Sequence, residues 1–174
     1  DKTSRLKMAT FQAKNETGWD KEVNTLDVAM EYDVNGNITS LLRNHNLRGM
    51  NGLEITSTAE QMDNLTYTYT TGNQLAKVED AASVEGGFEN AVDIAEEYTY
   101  NANGSATADA NKGISAVSYN VLGKADEIQF TDGRRLEYTY SSAGLKLTMK
   151  SYDTDGTTLK SVTDYVNGYV YTDG

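Results

Sequence analysis

The chain has 174 residues, 26 of them acidic and 15 basic, for a net charge of -11. That length allows one domain with a core of ordinary size, and the acidic balance argues against a nucleic-acid backbone or an anionic membrane surface as main partner. There is no cysteine, which excludes disulfides and thiolate metal sites, and no apolar run is long enough to insert as a membrane helix.

In chain order, the opening DKTSRLKMATFQ is polar and lacks the apolar stretch of a signal peptide. Trp19, between Gly18 and Asp20, is the one tryptophan. Twelve tyrosines against three phenylalanines and no proline lean towards strands, where the ring packs and the hydroxyl reaches water or a partner. From Val28 onward the apolar residues alternate: Val28, Met30, Tyr32; Leu65, Tyr67, Tyr69; Leu136, Tyr138, Tyr140; Leu145, Leu147, Met149. A period of two predicts half-buried strands.

A second regularity sits at the strand ends. Glycine follows tyrosine by four residues in five places: Gly36 after Tyr32, Gly104 after Tyr100, Gly123 after Tyr119, Gly144 after Tyr140 and Gly156 after Tyr152. Gly72 follows Tyr69 by three. Turn chemistry accounts for it: Asp or Asn after the tyrosine bonds the backbone ahead, and glycine takes a positive φ without a Cβ clash. Returning strands are expected at Ile38–Leu42, Gln74–Val78, Ala125–Phe130 and Leu145–Lys150. Each unit is then a hairpin, and hairpins gain stability by stacking side by side. The motif tyrosines are 37, 31, 19, 21 and 12 residues apart, so insertions separate some units. Two insertions are expected as long loops: Arg43–Asn64, polar with a short strand at Leu53–Thr56, and Glu79–Glu97, with seven acidic and no basic residues. Within the second, Ala91–Glu97 suits one or two helical turns. The fold class expected is all-β: antiparallel hairpins side by side in one curved, twisted, open sheet.

The phrases EYDVNGNITSLLR, YTYTTGNQLAKVED, EYTYNANGSATADANKGISAVSYNVLGKADEIQF and RRLEYTYSSAGLKLTMK, with the ending DYVNGYVYTDG, resemble the tyrosine-aspartate (YD, or Rhs) repeats of large bacterial surface and toxin-associated proteins. The likeness is to the Bacteroidetes type; it covers Val28–Gly174 and extends loosely to 1–27. The aspartate after the motif tyrosine survives as Asp33 and Asp153, and is Thr70, Asn101, Asn120 or Ser141 elsewhere. The resemblance implies a single hairpin-repeat region, 1–174, belonging to a larger protein. It implies a strip that curls into a shell around a C-terminal cargo, a secreted or cell-surface setting, and a role in intercellular contact or toxin encapsulation. The expected partners are the remainder of the same polypeptide, its cargo and, by proposals made for such repeats, a surface glycan. An unpaired sheet edge also permits self-association. The family's self-cleaving core has no matching segment here.

Chemistry is sparse. His45, the one histidine, lies in the polar stretch Asn44–Asn46 and reads as a surface-loop residue, since no spacing pairs it with a nucleophile or ligand. Glycoside hydrolysis needs only two placed carboxylates, but Glu96/Glu97 and Asp126/Glu127 are adjacent pairs, which on a strand point to opposite faces. Asp153-Thr154-Asp155-Gly156 invites a calcium reading, yet Thr157 occupies the third acidic position and the glycine comes early; an Asp-stabilised turn is the stronger account. Trp19 with Tyr67, Tyr69, Tyr98 and Tyr100 is a candidate glycan-stacking set, against core packing of the same rings. The sequence therefore predicts no catalytic residue, no metal site and no cofactor. It predicts a structural module, with a carbohydrate-binding β-module as the alternative and a glycoside hydrolase as a remote one.

Overall fold

A computed structural model describes residues 5–14, 18–20, 26–51, 54–82 and 86–173. All of its regular elements are strands. The chain divides into two compact units, Asp1–Ala95 and Glu96–Gly174.

The first unit holds β1 (Met8–Ala9), β2 (Ala13–Lys14), β3 (Trp19–Asp20), β4 (Val28–Tyr32), β5 (Ile38–Asn51), β6 (Glu54–Tyr69) and β7 (Leu75–Asp80). Strands β1-β4-β5-β6-β7 form one antiparallel sheet in that order, and β2 pairs with β3 as a separate ribbon. Its apolar core, among the described residues, is Leu65, Ala76 and Val78, on β6 and β7.

The second unit holds β8 (Tyr98–Tyr100), β9 (Ala106–Asp109), β10 (Ile114–Tyr119), β11 (Ala125–Phe130), β12 (Arg135–Tyr140), β13 (Lys146–Tyr152), β14 (Leu159–Val166) and β15 (Tyr169–Asp173). These eight form one antiparallel meander in which every strand pairs with its chain neighbours. Within each sheet, strands touch only their hydrogen-bonded lateral neighbours. Each sheet therefore grows strand by strand along its hydrogen-bonding direction.

The all-β, hairpin-by-hairpin architecture that the period-two pattern predicts is present, and it is not closed into a barrel. Four expectations are corrected. The strands fall into two sheets and a ribbon instead of one sheet. Arg43–Asn64 is not a loop: β5 and β6 run through it, and beyond an irregularity that skips Met62 they continue as a two-stranded ribbon paired from Asn44↔Gln61 to Asn51↔Glu54. Leu53, where the sequence predicts a short strand to start, lies outside the described residues, and His45 sits in β5 opposite Glu60. The ribbon's ladder is held by backbone hydrogen bonds, which form beside polar side chains as well as apolar ones, so a polar run can form it. Residues 91–97 form no helix, and the described part of 81–97 crosses from β7 to β8 without regular structure. Finally, two returning strands begin one residue late: β7 at Leu75 instead of Gln74, and β13 at Lys146, two residues beyond Gly144, instead of at Leu145. Gln74 and Leu145 lend their carbonyls to close the turn before pairing begins.

The crossing from β7 to β8 is tied down by a buried carboxylate. Asp63, 1% exposed, accepts the Phe88 backbone N–H at 2.7 Å and the Arg43 Nε–H from the facing strand. At Gly87 an added Cβ would stand 2.2 Å from the Met62 carbonyl oxygen, so only glycine lets the loop lie this close to β6.

Candidate functional site

The motif tyrosines converge on one device. The ladder between paired strands shifts by one residue at each of them: Glu31↔Ser40 is followed by Tyr32↔Ile38, Thr68↔Lys77 by Tyr69↔Leu75, and Thr99↔Ala108 by Tyr100↔Ala106. Likewise Ser118↔Glu127 precedes Tyr119↔Ala125, Thr139↔Thr148 precedes Tyr140↔Lys146, and Ser151↔Ser161 precedes Tyr152↔Leu159. The residues skipped in the ladder are Thr39, Ala76, Thr107, Asp126, Leu147 and Lys160. Each turn is thus a short loop closed by a left-handed residue and a bulge, which raises local twist.

The loops share a hydrogen-bond scheme. Asp33 N donates to Asn37 O at 2.9 Å and Gly36 N to Asp33 O at 3.2 Å. Asn101 repeats this with Ser105 and Gly104, Asn120 with Lys124 and Gly123, and Ser141 with Leu145 and Gly144. The side-chain oxygen after the tyrosine accepts a loop amide: Asp33 Oδ1 from Asn35 N at 2.9 Å, Asn101 Oδ1 from Asn103 N at 3.0 Å, Asn120 Oδ1 from Leu122 N at 2.9 Å. Thr70 and Ser141 do it with a hydroxyl, at 3.3 Å to Gly72 N and 3.2 Å to Leu145 N. The position requires an acceptor oxygen, not an aspartate, which explains the alternation of Asp, Asn, Thr and Ser.

Two motif positions depart from the sequence pattern, and one further loop differs in its side-chain acceptor. Gly72 is not the left-handed residue of its turn: Asn73 is, at φ +58, four after Tyr69 as in the other units. Asparagine tolerates that conformation better than most residues. Gly144 does take the left-handed conformation, at φ +77, and its N–H donates to Ser141 O at 2.9 Å. Its loop differs in the acceptor: the short Ser141 hydroxyl reaches Leu145 N, the amide beyond Gly144, whereas the longer Asp33, Asn101 and Asn120 side chains also hold an amide before the glycine. Tyr152 ends β13, one strand after Tyr140 ends β12, so its turn lies on the opposite edge of the sheet, and the 12-residue spacing is half a repeat. There the Asp153 Oδ1 accepts Thr154 N and the Asp155 carboxylate accepts the N–H groups of Thr157 and Thr158. Both carboxylates bond their own loop, the arrangement of an Asp-stabilised turn.

The tyrosine hydroxyls add a link that the sequence does not signal. Tyr69 donates to the Ile38 carbonyl at 2.9 Å, Tyr119 to Ala106 at 2.5 Å, Tyr140 to Ala125 at 2.8 Å and Tyr32 to Leu6 at 2.7 Å. Ile38, Ala106 and Ala125 are each the first strand residue after the preceding motif turn. The hydroxyls of Tyr69, Tyr119 and Tyr140 therefore each fasten one hairpin's end to the start of the last. In the first unit the loops also touch directly, with Asn35 and Asn37 Nδ2 donating to Asn73 Oδ1 at 2.9 and 3.0 Å.

The opposite edge of the eight-stranded sheet carries a charged hub. Glu127 and Glu137 face one another across β11 and β12; two carboxylates so placed repel. Arg135 Nη1 lies between them, bonding Glu127 Oε2 at 3.0 Å and Glu137 Oε1, while its guanidinium stacks 4.0 Å over the Tyr152 ring. The Tyr152 hydroxyl, donating at 2.7 Å, and then Arg135 hold the Glu137 carboxyl below the usual range. Arg135 thereby ties the two facing carboxylates, and with them β11 and β12, together.

The stacking candidates lie on three separate elements. Trp19, 69% exposed, stands on the β2–β3 ribbon. Tyr67 and Tyr69 are half-buried on β6 of the first unit, and Tyr98 and Tyr100 half-buried on β8 of the second. Burial, before any neighbouring charge, pushes up the Tyr67 and Tyr98 hydroxyls. A shallow, mainly apolar depression of about 450 Å³ lies between β13 and β15, walled by Leu145, Leu147, Tyr165, Val166 and Tyr169. Among the described residues, no cluster of three or more His, Asp or Glu side chains is placed to hold a metal ion.

No protein-family model matches the chain, and no curated protein matches it. Among solved structures it is similar to the crystal structure of TcdB2-TccC3-Cdc42, at 12% identity and a TM-score of 0.39, over 95% of this chain and 9% of that one. It is similar also to TcdB2-TccC3, at 12% identity and a TM-score of 0.39 over 93% of this chain, and again 9% of the other. The chain thus spans about a tenth of the length of the chains it matches. In sequence motif alone it resembles the YD repeats.

Proposed function

We propose that the chain is a wall segment of a YD/Rhs-type repeat protein, structural in role and without chemistry of its own. The observation that carries this is lateral, strand-by-strand sheet order together with a reiterated fastening, tyrosine hydroxyl to the carbonyl beyond the previous turn. A device of that kind adds hairpins laterally without needing a second layer, as a wall requires and a compact domain does not. The wall would serve a secreted or surface-attached bacterial protein, in contact with other cells or around a toxin cargo, with the rest of the polypeptide as its partner. The test is imaging of the longer polypeptide by electron microscopy. Hairpins continuing the strip into a hollow shell support the proposal; a strip folded back face to face as a two-layer sandwich overturns it.

A glycan-binding module is the second reading, favoured by one observation, the exposure of Trp19. A glycan array read with wild type and Trp19→Ala decides it: binding that the substitution abolishes supports the reading, and an empty array removes it.

A further inference from the structure

Asparagine followed by glycine occurs at Asn35, Asn51, Asn103 and Asn167; Gly52 lies outside the described residues. Such pairs are chemically labile because a glycine nitrogen, unshielded by a Cβ, can approach the preceding side-chain amide. The three described pairs sit in different turns. Gly36 N donates to Asp33 O at 3.2 Å, and the Asn35 side chain is itself held by Asn73 Oδ1 at 2.9 Å. Gly104 N donates to Asn101 O at 2.9 Å. Asn167 and Gly168 form instead the two-residue turn between β14 and β15, both left-handed at φ +51 and +85, which is the type I′ hairpin geometry. There no acceptor among the described residues meets the Gly168 N–H, and the turn is exposed.

We propose that Asn167 is a site of spontaneous deamidation and isomerisation, converted ahead of Asn103 and Asn35. The Gly168 backbone nitrogen attacks Asn167 Cγ; the N–Cγ bond forms, the Cγ–Nδ2 bond breaks, and the glycine's amide proton leaves with the nitrogen as ammonia. Water then opens the five-membered succinimide at either carbonyl, giving aspartate or isoaspartate. No oxidant or cofactor takes part. In the other two turns the attacking nitrogen must first give up a hydrogen bond, and Asn35 must also free its side chain, so the order is Asn167, Asn103, Asn35. Isoaspartate inserts a methylene into the main chain, which the paired left-handed geometry cannot absorb. It would loosen β15, whose one lateral partner is β14.

The experiment incubates the full folded chain at mildly alkaline pH and follows each site by peptide mapping, using the mass gain of an amide turned to an acid. Asn167 is expected to convert about fivefold faster than Asn103, the factor that one hydrogen bond of about 1 kcal/mol represents, with Asn35 slowest. The same chain unfolded in urea should convert all three at similar rates. Equal rates in the folded chain, or the same ranking retained in urea, overturn the proposal. Asn167→Gly keeps a turn that accepts two left-handed residues; aged samples of it should retain the amide-exchange protection of β15 that aged wild type loses, and equal loss in both overturns the structural consequence.

Discussion

The two sheets are built by the same turns but held by different forces. The five-stranded sheet owns all the buried apolar side chains among the described residues, Leu65, Ala76 and Val78, and gathers its crossing loop onto buried Asp63. In the second unit the buried side chains, among the described residues, are Glu97 and Thr163. The eight-stranded sheet relies on ladder hydrogen bonds, cross-strand pairs such as Thr148–Asp164 and Thr163–Thr172, and the Arg135 hub. A repeat of this type thus stands without a core, provided each added strand satisfies the edge before it. Burial is concentrated where the chain must cross without strand pairing, from β7 to β8.

The largest effect that would sharpen this contrast is expected at Asp63. Asp63→Ala leaves the Phe88 N–H and the Arg43 guanidinium without their acceptor and should cost about 2–3 kcal/mol. Amide exchange should rise in β6 and β7 while β11–β13 keep their protection. Equal loosening in both sheets would break the separation. In the eight-stranded sheet the matching test is glycine: at Gly133, φ +91, an added Cβ would stand 1.9 Å from the Thr154 carbonyl oxygen of the neighbouring turn. Gly133→Ala should cost at least about 2 kcal/mol from backbone conformation and clash together. Gly123→Ala, at φ +68 with nothing within 4 Å, should cost only about 1 kcal/mol. Comparable midpoints in chemical denaturation would mean that turn-to-turn contact is irrelevant.

What is legible in the sequence follows the same division. The turns announce themselves because each needs specific chemistry, an acceptor oxygen and a left-handed residue, and the strands β4, β6, β12 and β13 show alternation. Three features leave no local signal. The β5–β6 ribbon is paired through its backbone while its sequence is polar without alternation, so the run Arg43–Asn64 looks like a loop. The left-handed role in the second turn passes to Asn73 beside a glycine that does not need it. The tyrosine hydroxyl bonds span 13 to 31 residues and depend on register, which bulges shift by one at every motif. The candidate stacking set rests on residue type alone, and type does not fix which sheet a ring belongs to.

The fastening common to both sheets makes a smaller, symmetric prediction. Tyr140→Phe removes the bond to the Ala125 carbonyl and Tyr69→Phe the bond to the Ile38 carbonyl, each for about 1 kcal/mol. The two losses should agree within a factor of about two if one device serves both regions. A null effect in the five-stranded sheet with a clear one in the other would show that a core makes the fastening redundant.

The smallest expected effect is the acid limb that a turn carboxylate contributes. The Asp155 carboxyl sits at about 2 against an ordinary 3.8, chiefly because the Thr158 hydroxyl donates to it, then the Thr158 and Thr157 amides. A carboxyl whose folded value is depressed contributes stability that is fully present above its unfolded value. That contribution fades as pH falls from about 4 and is gone below about 2. The side chain is fully exposed, so screening keeps the contribution small. Asp155→Asn retains an acceptor for the loop amides but cannot titrate; denaturation midpoints taken from about pH 5 down to about pH 2 should fall less steeply than in wild type. The same comparison at Asp33, whose carboxyl is lowered chiefly by the Asn37 side chain, places the acid response of a turn in each sheet side by side. If Asp33→Asn flattens the limb and Asp155→Asn does not, the turns of the coreless sheet are not where its acid sensitivity resides, and the Arg135 hub with its lowered Glu137 becomes the place to look.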